Sequence, residues 1–433
     1  MERKKIIIHN YFKLAEVSVV VSVVCVVLAF SIKHFTEHLE SEIFTWVKSH
    51  NPVFFIVLPT IGITMIYFLR KYAFRNRKNK GITEIYKTLD HRKDHLPLFK
   101  VPSHYINGFL TVIFGGSTGV EVSTVVATAT LGNLAYKTNF SAKQYKRELI
   151  CAGVAAGIAI LFNSPIGGWL FAVEVIARKV DRSILLSCTI AAIVAWTFIY
   201  FVDSKPLFPF TTTGWEWAAL PYFLVVSLLG GVLSVYFTRL VMFVKQFFSG
   251  ISNNFIRVNL GALIVGGMLF LYPALYGDSY HGFKVIMEQS MTGMNVSWFA
   301  SLLLLACLKP LAASLTLGAG GDGGVFAPSI VSGAFLGLLV AGICNMYLGT
   351  DLILLNFALA GMAATLSASI HAPLTALFLI CAIIPNGFVL FLPILLVSFA
   401  AKLFAQYLLP YNVYTYDFFI QGKTTGGKDR SRL

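Results

Sequence analysis

Apolar and polar positions fall in long blocks along this chain, without the short amphipathic rhythm of a surface helix. Apolar runs cover residues 16–32, 53–69, 149–177, 184–202, 219–236, 258–275, 324–348, 352–384 and 387–409. A bilayer-spanning helix needs roughly 20 such residues. The blocks therefore predict an all-α polytopic membrane protein. The first run lacks a small-residue cleavage site, so it predicts a retained helix and not a signal peptide. Two glycine-rich breaks stand out. Gly115, Gly116 and Gly119 break any helix approaching Glu121, and Gly318, Gly320, Gly321, Gly323 and Gly324 do the same before Phe326. A helix is predicted to start after each break, near residue 121 and near residue 326.

Composition narrows the class. The 433 residues are 57% hydrophobic and 12% charged, against about 45–50% and about 25% in soluble domains. The net charge is +14, with basic clusters at 3–5, 70–100, 143–147, 178–182 and 423–432. In a membrane protein this reads as positive-inside topology. It places the 70–100 segment and both termini on the cytoplasmic side of a multi-pass cell-membrane protein (the inner membrane in a Gram-negative bacterium). No solvated basic domain for nucleic acid is visible. The six cysteines lie in or beside apolar runs without metal-ligand spacing and read as packing residues. No catalytic triad order, zinc helix or other enzymatic motif occurs, so neither an enzyme nor a cofactor is expected.

The chain repeats itself. "GVEVSTVVATATLGNLA" (119–135) lies over "GVFAPSIVSGAFLGLLV" (324–340) without gaps, and Gly119, Val120, Val126, Ala129, Leu131, Gly132 and Leu134 find identical partners. "AGVAAGIAILFNSPIGGWLF" (152–171) lies over "AGMAATLSASIHAPLTALFL" (360–379) in the same order, with Pro165 over Pro373. The two blocks predict duplicated halves, about 11–202 and 215–420, in one membrane domain spanning 1–433. Duplicated membrane folds place substrate near the midplane, where broken helices end.

Helix starts carry free N–H groups and partial positive charge, so two meeting in a protein-lined cavity would bind an anion. Glu121 lies at one of them. No Lys or Arg occurs between Lys100 and Lys137 to offset it, and a charge at the bilayer centre costs about 3 kcal/mol or more. A carboxylate there competes with a permeant anion and leaves on protonation, which makes Glu121 a candidate gate. Asp322, in the other glycine loop, reads as a solvated turn residue.

In order along the chain, "GITEI" (81–85), "GVEVS" (119–123), "GVFAP" (324–328) and Tyr414 in "LFAQYLLPYNVYTYDF", together with "GVAAGIAILFNSPIGGWLFAVE" (153–174), resemble the motifs of the CLC chloride channels and chloride/proton exchangers. The resemblance implies a CLC fold of about 18 helices in two inverted-topology halves, and a homodimer with one anion path per subunit. It implies that Glu121 is the gate, and that Gly81, Ile82, Gly119, Val120, Val325 and Phe326 line the anion path with Tyr414 closing its inner side. Chloride or another small anion is the expected partner, with protons if transport is coupled. The chain ends about 20 residues after Tyr414, which implies a bacterial or archaeal type without the cytoplasmic regulatory module of many eukaryotic relatives.

Three positions depart from the family pattern. Lys80 stands where a serine usually binds the central anion; it either ends the basic run or adds an ammonium to the inner mouth, with Thr83 or Asn79 as hydroxyl or amide substitutes. Val122 and Ser123 follow Glu121 in place of Gly and Pro, which stiffens the turn. Val175 falls where exchangers carry an inner proton-transfer glutamate, with Glu174 beside it as a candidate substitute. These departures favour a passive or weakly coupled chloride path. Chloride/proton antiport and the fluoride branch of the family are the alternatives.

Overall fold

The structure, a computed structural model, describes residues 2–424 apart from 76, 78, 80, 92, 93, 139–143 and 294. Within them lie seventeen α-helices and no strand. They are α1 (Glu2–His50), α2 (Phe54–Phe68), α3 (Ile82–Asp90), α4 (Lys100–Ile113), α5 (Glu121–Thr138), α6 (Lys146–Leu161), α7 (Pro165–Leu170), α8 (Arg182–Val202), α9 (Leu220–Ser249), α10 (Asn254–Leu271), α11 (Tyr280–Thr292), α12 (Val296–Ala319), α13 (Phe326–Leu348), α14 (Leu354–Ile370), α15 (Pro373–Ala382), α16 (Phe391–Leu408) and α17 (Tyr416–Thr424). π-helical turns extend α2 (Leu69–Ala73) and α7 (Phe171–Ala177). Among the described residues eight helical stretches are long and apolar enough to cross a membrane.

The apolar runs map onto helices with three adjustments. Run 16–32 is the middle of the 49-residue α1. Runs 149–177 and 352–384 each break in two, because Asn163 (φ 50°) and His371 (φ 58°) adopt left-handed backbone just before Pro165 and Pro373. Proline at a first helical position suits a new helix and not a continuing one. The spanning helix α12 is absent from the apolar runs, since Lys309 and Pro310 interrupt its sequence.

Outward faces are apolar, and small or hydroxylated residues join large apolar ones on the inward faces, as expected where lipid is the solvent. On α9, Leu224, Leu228 and Val232 are exposed, while Ser227, Gly230, Gly231 and Ser234 are buried. Helix α13 is buried over most of its length, and α14 packs along it. Threonine hydroxyls inside α5 bond along their own helix: Thr128 and Thr130 donate to the Thr124 and Val126 carbonyls at 2.8 and 2.7 Å.

The internal repeat is physical. A Cβ on Gly132 would collide with the Leu149 carbonyl, and one on Gly153 with that of Thr128, so α5 and α6 touch backbone to backbone. At the corresponding positions, Gly337 meets the Phe357 carbonyl and Gly361 that of Gly333, between α13 and α14. The same two close approaches, at the same two glycines, occur once in each half.

Candidate functional site

The site is assembled from helix starts. Helix α5 begins at Glu121, whose side chain turns back over Gly119. A Cβ on Gly119 would collide with the carboxylate, so this position requires glycine. Glu121 is 3% exposed. The Tyr280 hydroxyl donates to its Oε1 at 2.9 Å, and Oε2 has no partner among the described residues.

Helix α3 begins after Gly81, held at φ 60°, a conformation natural to glycine. A Cβ at Gly81 would lie 3.5 Å from Val122 Cγ1. Helix α13 begins at Phe326 after Val325, both buried. Gly324 presses on Val122 so closely that a Cβ would collide with it, and the same Cβ would lie 3.6 Å from the Tyr414 hydroxyl. That hydroxyl is buried and unpartnered, and the rings of Tyr414 and Phe326 are 6.5 Å apart. Three helix N-termini (α3, α5 and α13) and a free hydroxyl thus converge around Val122. First-turn N–H groups have no intrahelical acceptor. The arrangement offers donors to an anion without a formal cation, as at other helix starts. Val120, half-buried, lies beside Glu121. Ile82 and Thr83 are buried on α3. Lys80 lies outside the described residues.

Glu121 is less isolated than the sequence indicates. Lys309, fully buried, donates to Ser117 Oγ at 2.9 Å, the Gly277 carbonyl at 2.8 Å and Ser279 Oγ at 2.7 Å. The Asp278 carboxylate accepts from the Tyr280 N–H at 2.8 Å, and the Asp278 N–H donates to Glu40 Oε1 at 3.3 Å. Lys309 and Asp278 both act electrostatically on Glu121. Beside Glu121 lies a cavity of about 20 Å³, bordered by Thr36, Glu37, Asp278 and Tyr280. That is room for about one water. A larger space of about 150 Å³ adjoins Glu37, Glu40, Asp278 and Lys284. Sequence reasoning missed this group. Lys309 was its one legible member, as the single charge in an otherwise apolar span.

Asp322 corrects the expectation of a solvated turn residue. It is buried, 3.0 Å from His104 Nδ1, and accepts from Asn79 Nδ2 at 3.1 Å. Its backbone N–H donates to Thr111 Oγ1 at 2.9 Å. An acidic residue among glycines resembles a turn in sequence; here a histidine from α4, distant in sequence, draws it inside.

Glu174 accepts from the Thr375 N–H at 2.9 Å and the Thr375 hydroxyl at 2.7 Å, capping the first turn of α15. Val175 is buried beside it, and its carbonyl accepts from the Tyr86 hydroxyl at 3.1 Å. Arg178 stacks over Tyr86, 3.8 Å from the ring centre.

This helical membrane fold with a carboxylate among converging helix starts has known counterparts. The family described as "Voltage gated chloride channel" matches residues 60–406, and the chain belongs to it. The H(+)/Cl(-) exchange transporter ClcA of Vibrio cholerae is 28% identical over 397 residues, 86% of this chain and 82% of that protein. The putative chloride channel protein ClcB-like of Ralstonia nicotianae is 27% identical, over 75% of this chain and 76% of the relative. Chloride channel protein CLC-f of Arabidopsis thaliana is 32% identical over 55% of this chain, and the match spans 33% of the plant protein. Among solved structures, a slow cyanobacterial Cl-/H+ antiporter superposes with a TM-score of 0.75 at 22% identity, covering 96% of this chain and 99% of the other. A CLC-type fluoride/proton antiporter gives 0.75 at 22%, covering 93% and 97%. The protein is a multi-pass membrane protein of a family of anion transporters and channels.

Proposed function

We propose that the chain carries chloride or a similar small anion past Val122, through a path gated by the Glu121 carboxylate, by passive or weakly proton-coupled transport. The observation that supports this is the Glu121 carboxylate folded over Gly119 at the start of α5, beside the starts of α3 and α13 and the Tyr414 hydroxyl. In that position the carboxylate stands in for the permeant anion; protonated, it loses its claim on the N–H groups. Val175 removes the usual inner proton carrier, and Glu174 is engaged in capping α15. Proton-coupled antiport of chloride or fluoride is the second reading, favoured by what the exchanger relatives are named for. Both readings place two copies of the chain in a homodimer and both termini on the cytoplasmic side.

The test is anion flux from sealed liposomes with simultaneous proton recording. We expect chloride efflux without stoichiometric uphill proton movement. Stoichiometric pumping sinks the channel reading and leaves antiport. Lys80 is testable in the same assay: a charge placed about 6 Å from a bound anion, at an effective dielectric near 20, would contribute at most about 3 kcal/mol. Lys80→Met is expected to weaken transport most at low salt. Unchanged low-salt transport assigns Lys80 to the basic run alone.

A further inference from the structure

At the end of α2, Arg70 and Lys71 border a cavity of about 530 Å³ with Arg77 and with Arg257 of α10. This size falls in the roughly 300–1,000 Å³ range of small-molecule sites. Ile63, Tyr67 and Val258 supply its apolar wall. The charge there is unbalanced. Among the described residues Lys71, Arg77 and Arg257 pair with no carboxylate. Arg70 approaches Asp322 only at 3.9 Å, and Asp322 is already held by His104 and Asn79. Arg70 and Arg257 also repel each other. The Nε atom of each is buried and has no hydrogen-bond partner. Two guanidinium groups on one cavity, one of them paired with no carboxylate among the described residues, suit a phosphate group, whose oxygens accept paired N–H bonds. A chloride ion offers one spherical acceptor, where a phosphate offers separate oxygens to match the arms of a planar fork.

We propose that this cavity binds a phosphorylated anion between Arg70 and Arg257, and that Arg70 links its occupancy to the start of α13. Arg70 Nη1 donates to the Gly320 carbonyl at 2.7 Å. Gly320, at φ 109°, opens the loop that leads through Asp322 and Gly324 to Phe326. A phosphate that recruits Arg70 competes with this bond and frees the loop. The linkage rests on the anion path proposed above; the binding does not. Free phosphates and anionic lipid headgroups offer the same chemistry, and basic pockets between membrane helices bind such headgroups.

The experiment takes the purified full chain as wild type, Arg257→Gln and Arg257→Lys, each checked for monodispersity. Pyrophosphate is titrated calorimetrically at fixed chloride. Phosphatidylglycerol retention is compared with phosphatidylcholine retention by native mass spectrometry. We expect one of the two sources to bind wild type, Arg257→Gln to weaken it about tenfold or more, as loss of a charge-assisted pair requires, and Arg257→Lys to fall between. Binding by neither source, or binding indifferent to Arg257→Gln, overturns the site. The binding source is then added to chloride-efflux liposomes. We expect efflux to change by about twofold or more in wild type and not in Arg257→Gln, a coupling of ordinary size. Binding with unchanged efflux overturns the linkage alone. Binding with no efflux under any condition overturns the transport reading, and the linkage with it.

Discussion

Tyr280→Phe removes one oxygen and tests the gate most directly. The Tyr280 hydroxyl donates a hydrogen bond to Glu121 Oε1 at 2.9 Å, and Oε2 has no partner among the described residues. A hydrogen bond to a charged group contributes about 1.5–3 kcal/mol. Each 1.36 kcal/mol of preference for the ionised form is one pH unit, so full loss corresponds to about 1–2 units. The cavity of about 20 Å³ beside Glu121 admits about one water as a replacement donor. We therefore expect about one unit. The sign follows from which form the hydroxyl favours. It donates to the carboxylate, so its loss makes the charged gate less favourable, and the gate protonates at higher pH. Flux against pH, measured in liposomes with equal pH on both sides, is expected to keep its shape and move its midpoint upward. The phenyl ring keeps its packing against Phe208, which limits folding effects. A Tyr280→Phe profile superimposable on wild type, or moved to lower pH, refutes the role given to this contact.

Glu121→Gln is expected to flatten the pH dependence of flux while the protein stays folded; a profile that still responds to pH removes Glu121 as the gate. Lys309→Met leaves the Ser117, Gly277 and Ser279 acceptors without their ammonium; we expect a loss of about 3 kcal/mol or more, read as lower thermal stability in detergent. Gly324→Ala is expected to destabilise by about 1–3 kcal/mol through overpacking on Val122, and Val122→Gly in the same chain to relieve it. Additive effects in that double-mutant cycle would show that the two positions do not press on each other.

What could be read from the sequence was what local pattern encodes. Apolar blocks marked the spans other than α12, and glycine breaks marked the helix starts at Glu121 and Phe326; the aligned prolines marked the repeat, while the breaks they make before α7 and α15 appeared only in the structure. Contacts between distant segments were not readable. Tyr280 and Asp278 sit in an ordinary-looking "YGDSYHG" stretch, and nothing in its pattern says that it folds against residue 121. Glu40 lies inside α1, where an acidic residue reads as a helix surface. Its burial comes from the loop at Gly277, which packs directly on its carboxylate. Asp322 fails for the same reason: its partner His104 is 218 residues away.

The duplication extends further than sequence identity does, and it explains why polar residues sit where they do. With the offset of 205 that places Gly119 over Gly324, Thr111 falls over Thr316, Ser117 over Asp322 and His104 over Lys309. The contacts exchange accordingly. Thr111 accepts the Asp322 N–H at 2.9 Å, and Thr316 accepts the Ser117 N–H at 3.1 Å. His104 holds the Asp322 side chain, and Lys309 holds that of Ser117. Each half thus clasps the glycine loop of the other with a buried nitrogen base and a threonine. The backbone relation is symmetric and the chemistry is not. The position that carries Glu121 in one half carries Phe326 in the other. Backbone geometry can supply donors at both helix starts, because N–H groups belong to every residue but proline. A titratable group at both would put two carboxylates in one small site, where like charges oppose joint ionisation. Under the proposed function, one acid and one phenyl ring keep both helix starts available to an anion and leave a single protonation event to control them.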